Sequence, residues 1–202
     1  MTVGVRAFIG DIHGEPRMLA DLLAQLPLRD LDRVVFLGDY VNRGAGSAAV
    51  LDLLVQLSSD SKFVFLQGNH DRVFLEAIDT GDLGRFLRMG GARTVLSYVS
   101  HPVEPDVWAQ LRSAVPEAHV RFLRMLAGRY EDEEVVATHD IRLAPRDGRF
   151  RVAGHLPVGE TPQLDEDTAL IDTGCGTPAG RLSALFWPSL SFLQALSAPA
   201  SS

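Results

Sequence analysis

The sequence has 202 residues, 46% hydrophobic and 22% charged, enough apolar material for one domain with a single core and too much for a disordered chain. Nineteen Lys and Arg against 26 Asp and Glu leave a net charge of −7, which argues against gripping a nucleic-acid polymer or anionic lipid through a broad basic face. The single cysteine, Cys175, excludes an internal disulfide and a cysteine-based zinc cluster.

The start of the chain has no apolar run of signal-peptide length, and no stretch approaches the roughly 20 apolar residues of a membrane span. The expectation is a cytoplasmic protein of one domain, 1–202, without a membrane partner and with a disordered tail at 197–202. Short apolar runs at 5–9, 34–37, 63–66, 135–137 and 151–153 each lead into glycine or small polar residues and read as buried strands. Between the first two, Pro16 followed by Leu19, Leu22, Leu23 and Leu26 gives helical spacing closed by Pro27. Ser47 reads as the cap of a second helix that turns Val50, Leu51, Leu54, Val55 and Leu57 inward. This alternation predicts an α/β fold whose sheet is parallel at least in its first half.

Residues 73–128 predict several helices, with Phe122, Met125 and Leu126 as a core stripe. The end predicts a hairpin: 169–171, a glycine-rich turn at 174–180, then 182–187. His101 and His119 read as surface residues, Cys175 as a small packed one, and the acidic run 131–134 as a solvated turn.

The polar residues with chemical potential fall just past the C-terminal ends of the predicted strands, where open α/β sheets bind ligands. They are Asp11, His13, Asp39, Asn69, His70, His139 and His155, and they include four of the six histidines. Carboxylates, one amide oxygen and imidazoles together suit Mn2+, Fe or Zn2+ better than Ca2+ or Mg2+ alone. Asp-x-His in an extended turn lets two side chains reach one ion, and a carboxylate from the next strand can bridge two ions. Two divalent ions outweigh the charges of Asp11 and Asp39, and Arg43 adds to the excess, so the pocket would suit a phosphate dianion.

Three blocks carry a resemblance: Gly10-Asp11-Ile12-His13-Gly14, Gly38-Asp39-Tyr40-Val41-Asn42-Arg43-Gly44, and Gly68-Asn69-His70-Asp71. In this order they resemble the signature of the calcineurin-like metallophosphoesterases, and more narrowly the PPP-type serine/threonine phosphatases and their bacterial relatives. His139, Gly154-His155 and the Asp172-Thr173-Gly174 block extend the resemblance over most of the chain. It implies β-sheets flanked by helices, with a dimetal site at the strand ends. It puts one ion on Asp11, His13 and Asp39, and a second on Asp39, Asn69, His139 and His155. Mn2+ is the expected metal, with Fe, Zn2+ or Ni2+ as the other candidates. A hydroxide between the ions would attack phosphorus, Arg43 would bind phosphate, and His70, oriented by residue 42, would serve the leaving group. The implied reaction is hydrolysis of phosphomonoesters, on phosphoserine/threonine or on a small-molecule or nucleotide phosphate.

Three departures qualify this. The family's second block usually ends Asp-Arg-Gly, but here residue 42 is Asn, which can orient His70 without stabilising its charged form. Asp140 follows His139 where the family has small residues, and only 16 residues separate His139 from His155, so the site should be more open. Arg142, Arg146, Arg149 and Arg151 are then the candidates for a second phosphate-binding arginine. Asn42 and Asp71 favour an alternative, hydrolysis of dinucleoside polyphosphates, whose leaving groups need little protonation. A non-catalytic phosphate-binding relative is the third reading.

Overall fold

The computed structural model describes residues 4–99 and 105–196; His101 and the tail 197–202 lie outside the described residues. The first half follows the predicted alternation. Strand β1 (Arg6–Ile9) leads to helix α1 (Pro16–Gln25), β2 (Arg33–Phe36) to α2 (Ser47–Leu57), and β3 (Phe63–Phe65) to α3 (Asn69–Thr80). Pro16 opens α1, where its missing N–H costs nothing. Helices α4 (Gly84–Arg88), α5 (Ala92–Tyr98), α6 (Val107–Ala114) and α7 (Glu117–Met125) fill the predicted helical middle.

The strands β4 (Arg129–Glu131), β5 (Val135–Thr138), β6 (Phe150–Ala153), β7 (Gln163–Leu164) and β8 (Thr168–Leu170) follow, then β9 (Arg181–Trp187) and β10 (Phe192–Leu196). They form two mixed sheets, in the orders β10-β9-β1-β2-β3 and β4-β5-β6-β8-β7. Within them β1, β2 and β3 run parallel, as do β5, β6 and β8. Alternation along the strands decides the layering. Phe8, Val35 and Leu37 of the first sheet pack on Val135, Ala137, Phe150 and Val152 of the second. The intervening Ala7, Ile9, Val34 and Phe36 pack on Leu19, Leu22, Leu51, Leu54 and Phe74 of the helices. Two sheets therefore lie face to face, with helices outside the first. Among the described residues no helix is long and apolar enough to cross a membrane.

Five expectations need correction. The C-terminal hairpin is not one: β8 pairs with β6 in the second sheet, while β9 pairs antiparallel with β1 in the first. The glycine-rich stretch carries the chain between layers, and the true hairpin is β9–β10. Ser47 is the first residue of α2 and caps nothing; Gly46 precedes it, and the Ser47 hydroxyl bonds Thr94 and the Asn42 N–H. Met125 is 83% exposed, at the rim of an apolar cavity it shares with Phe63, Phe65 and Phe122. His119 is buried because it shares the inner face of α7 with Phe122 and Leu123, and its ring nitrogens meet Tyr98 Oη and Asp52 Oδ1. In the acidic run, Asp132 and Glu134 hold Arg6 of β1 from the second sheet and so clamp the two layers.

Candidate active site

All the parallel strands bearing candidate residues end at one edge of the sandwich, so their loops converge. The loops are tightly wound. Six non-glycine residues among those described have positive φ, and five of them are His13, Asp39, Asn42, Arg43 and His155. Left-handed backbone costs such residues on the order of 1 kcal/mol or more each, so its concentration here marks a site held in shape by its surroundings. Two glycines explain how the loops approach so closely. A Cβ on Gly68 or Gly154 would lie 2.1 Å from a carboxylate oxygen of Asp39 or Asp11 respectively.

Asp71 supplies much of the holding. Its buried carboxylate accepts the backbone N–H groups of Asp39 (2.7 Å), Tyr40 (2.8 Å) and Gly68 (3.0 Å), tying the loop after β2 to the start of α3. In return Asp39 Oδ1 accepts the His70 N–H at 2.9 Å.

Asp39 Oδ2 is then the centre of the arrangement. His139 Nε2 lies 3.4 Å from it, His13 Nε2 3.8 Å and His70 Nε2 3.9 Å. His13 donates its Nδ1–H to the Val41 carbonyl, which turns the Nε2 lone pair inward. That atom is fully buried and has no hydrogen-bond partner. Burial holds the His13 imidazole down at about 4, so it is neutral and able to ligate. His139 is oriented likewise by the Leu37 carbonyl, with Nε2 2.9 Å from Asn69 Oδ1. Asp11 Oδ2 lies 3.9 Å from His13 Nε2, and the Asp11 carboxylate accepts the His155 N–H. The His155 ring stands edge-on to His139 at 4.9 Å.

These donors fall into two overlapping sets, His13 with Asp39 and His70, and Asp39 with His139 and His155. Carboxylate and amide oxygens and imidazole nitrogens crowd around the orphaned, buried His13 Nε2, an arrangement that a pair of divalent cations would satisfy once the histidine protons they displace are lost. The protein's own charges respond as expected of such a site. Burial and then Asp39 and Asp172 push Asp11 up. Burial opposes charge on His139, but Asp39 and then Asp11 and Asp71 outweigh it and hold the imidazole up at about 10.

Behind the site, Asn42 Nδ2 lies 2.7 Å from His70 Nδ1. The amide orientation follows from its other contacts. Thr94 Oγ1–H donates to Asn42 Oδ1, and the Met89 carbonyl, which can only accept, faces Nδ2 at 3.3 Å. Asn42 therefore donates to His70 Nδ1, and the imidazole carries its proton on Nε2, facing the site. Burial lowers the basicity of His70, and Arg43 adds to the effect of burial.

The sequence model of the family described as calcineurin-like phosphoesterase matches residues 6–168. The chain belongs to that family. Among its relatives, serine/threonine-protein phosphatase 2 of Escherichia coli is 40% identical over 84 residues, 41% of this chain and 37% of that protein. The symmetrical bis(5'-nucleosyl)-tetraphosphatase of Coxiella burnetii is 43% identical over 68 residues, 33% of this chain and 22% of that protein. The matched stretch thus spans little more than a third of the first relative and about a fifth of the second. A crystal structure described as a candidate diadenosine tetraphosphatase superposes with a TM-score of 0.69 at 19% identity, over 98% of this chain and 96% of that one. At that identity the likeness concerns the fold.

Calcineurin-like phosphoesterases use a divalent metal centre, and this member brings all the sequence-identified residues to one edge. Arg43 follows Asn42 in the loop after β2, and its charge adds to burial in lowering the basicity of His13 and His70. Beside His139 and His155 lies a cleft of about 290 Å3 lined also by Asn69, Arg72, Asp140 and Leu143. Asp140 is neutralised by a two-oxygen contact with Arg142. None of the four candidate second arginines offers a free guanidinium to this cleft. Arg142 holds Asp140, Arg149 holds Asp147 and Glu131, Arg151 is buried on Asp167 and Thr168, and Arg146 lines a separate cavity beside Arg151.

Three contributors escape the sequence reading. Thr94 is 52 residues from Asn42, and no local pattern marks it. Asp172 is buried near the site with Oδ2 unpartnered, and its place in a familiar block hinted at it without giving a role. Arg72, three residues after Asn69, was open to detection once α3 was known to begin at Asn69.

Proposed function

We propose that the chain is a metal-dependent phosphatase that hydrolyses phosphomonoesters, on phosphoserine/threonine or on a small-molecule or nucleotide phosphate. The observation that carries this reading is Asp39 Oδ2 within 3.4–3.9 Å of three imidazole Nε2 atoms, from two loops and the first turn of α3. Asp11, His13 and Asp39 would hold one divalent ion, and Asp39, Asn69, His139 and His155 a second, with Mn2+ the metal best suited to this oxygen and nitrogen set. Such ions supply Lewis-acid polarisation of a phosphoryl oxygen and of water. The chain's own residues do the rest. Arg43 binds phosphate oxygens and fixes the ester in the site. His70 turns an Nε2–H toward the leaving oxygen. The backbone latch through Asp71 keeps Asp39 and His70 at fixed separation. The cytoplasm is the location proposed with this reading.

A second reading, hydrolysis of dinucleoside polyphosphates, gains support from the Asn42 donor. An imidazole held by an amide donor is a weak acid, and phosphate leaving groups need little acid help. The purified protein should hydrolyse p-nitrophenyl phosphate only with added Mn2+, and Asp39→Asn should abolish it. Failure to bind any divalent ion sinks the proposal; binding without hydrolysis of any phosphate ester would instead favour a non-catalytic phosphate-binding protein.

A further inference from the structure

We infer that the cleft beyond Asn69 is a subsite for a second phosphate, with Arg72 as its ligand, so that condensed phosphates are preferred over single phosphate esters. This rests on the metal-dependent hydrolase reading above, sides with its second substrate over the monoester, and assigns the residue that would make the difference.

Arg72 stands one helical turn after Asn69 on α3, on the same face, and both line the cleft with His139 and His155. Among the described residues it pairs with Glu76 Oε1 at 3.1 Å, a half-exposed pair of the kind that contributes little. Glu76 has a second arginine, Arg85, on its other oxygen at 3.3 Å. Arg72 can therefore turn to a ligand without leaving Glu76 unpaired. The one carboxylate lining this cleft, Asp140, is already neutralised by Arg142. The available charge in the cleft is thus positive, and it stands beside Asn69, His139 and His155.

A phosphate chain running from the Asp39 site past Asn69, His139 and His155 into the cleft would meet Arg72 there. In the reaction, the oxygen of water joins the terminal phosphorus as the anhydride P–O bond breaks. The electron pair leaves on the bridging oxygen of the shortened chain, and the proton from water passes to solvent. That leaving oxygen belongs to a phosphate, so the weak His70 acid is no handicap.

The test compares inorganic tripolyphosphate with p-nitrophenyl phosphate in Mn2+, in the wild type, Arg72→Ala, Arg72→Lys and Glu76→Gln. The ratio of kcat/KM for tripolyphosphate over the aryl monoester should fall about tenfold or more in Arg72→Ala, mainly through KM, as expected for one lost charge-assisted contact. It should recover in part in Arg72→Lys and hold or rise in Glu76→Gln. An unchanged ratio, or equal losses on both substrates, overturns the subsite. Calorimetry separates this from failure of the underlying reading. If the wild type hydrolyses neither compound, the phosphatase reading fails, yet Arg72-dependent preference for binding tripolyphosphate over orthophosphate would still uphold the subsite, and its absence would remove it.

Discussion

Asn42 donates a hydrogen bond to His70, and the direction of that bond is set by Thr94 and Met89 on the far side of the amide. An aspartate in the same place would accept from His70 instead. One amide in place of a carboxylate thus changes which nitrogen of the imidazole carries the proton and how readily a second proton is held.

Replacing Asn42 by Asp should restore a charged imidazolium and, with it, acid help to poor leaving groups. Turnover on a phosphoserine peptide should rise about tenfold or more, while an aryl phosphate, whose leaving group needs no proton, changes little. The new carboxylate would face the Met89 carbonyl, so a small loss in melting temperature is expected alongside. Parallel steady-state assays on the two substrates decide it, and equal changes on both would refute the account of His70.

Loading with Mn2+ should release protons. His139 is held up at about 10 by Asp39, so it is charged at neutral pH in metal-stripped protein, and a cation must displace that proton to reach Nε2. Affinity should therefore strengthen as pH rises from 6 to 9. The folding contribution has its own sign. A pKa raised from about 6.5 in the unfolded chain stabilises the stripped protein fully below that value and is lost as pH climbs through about 10. Calorimetric titration in buffers of different ionisation enthalpy measures the release; a proton count near zero at pH 7 would contradict it.

Asp71→Ala should be among the most destabilising single changes outside the apolar core. It leaves the buried N–H groups of Asp39, Tyr40 and Gly68 without an acceptor, each costing about 1–3 kcal/mol. Urea unfolding should show a loss of at least about 3 kcal/mol, with Mn2+ affinity falling as Asp39 loses its anchor. A loss below about 1 kcal/mol would show that the latch does not carry the loops.

Arg43→Gly and Arg43→Ala both remove the guanidinium, but only alanine keeps the cost of a backbone at φ 59°. The glycine variant should be the more stable by about 1 kcal/mol, less whatever the added freedom of the unfolded chain takes back. Both should lose activity alike. Thermal melts of the pair isolate the strain, and an alanine variant as stable as the glycine one would mean that little strain is stored there.

Much of this was legible in the sequence because the evidence is local. A short apolar run that gives way to glycine or small polar residues marks both a strand and the residues at its end, so the strands β1, β2, β3, β5 and β6 are legible in the sequence. The C-terminal region was misread because strand pairing is not local. The runs 169–171 and 182–187 look like hairpin partners, yet burial between two layers sends one to each sheet. His119 was misplaced because its neighbours Glu117 and Arg121 are polar, although helical spacing puts it with Phe122 and Leu123. The orientation of Asn42 depended on Thr94 and Met89, contacts that only the folded helices create.

The pairing of β1 with β9 also sets an order of assembly. Strand β1 carries Asp11 and His13 on its outgoing loop, and one of its two neighbours, β9, is not synthesised until residues 181–187. Closing so long a loop is slow and entropically costly. During synthesis the helices and the β1–β2–β3 ladder can form early, but the strand at the centre of the sheet keeps an open edge until β9 arrives. A chain stalled before residue 181 would expose an unpaired strand next to the loop that carries Asp11 and His13.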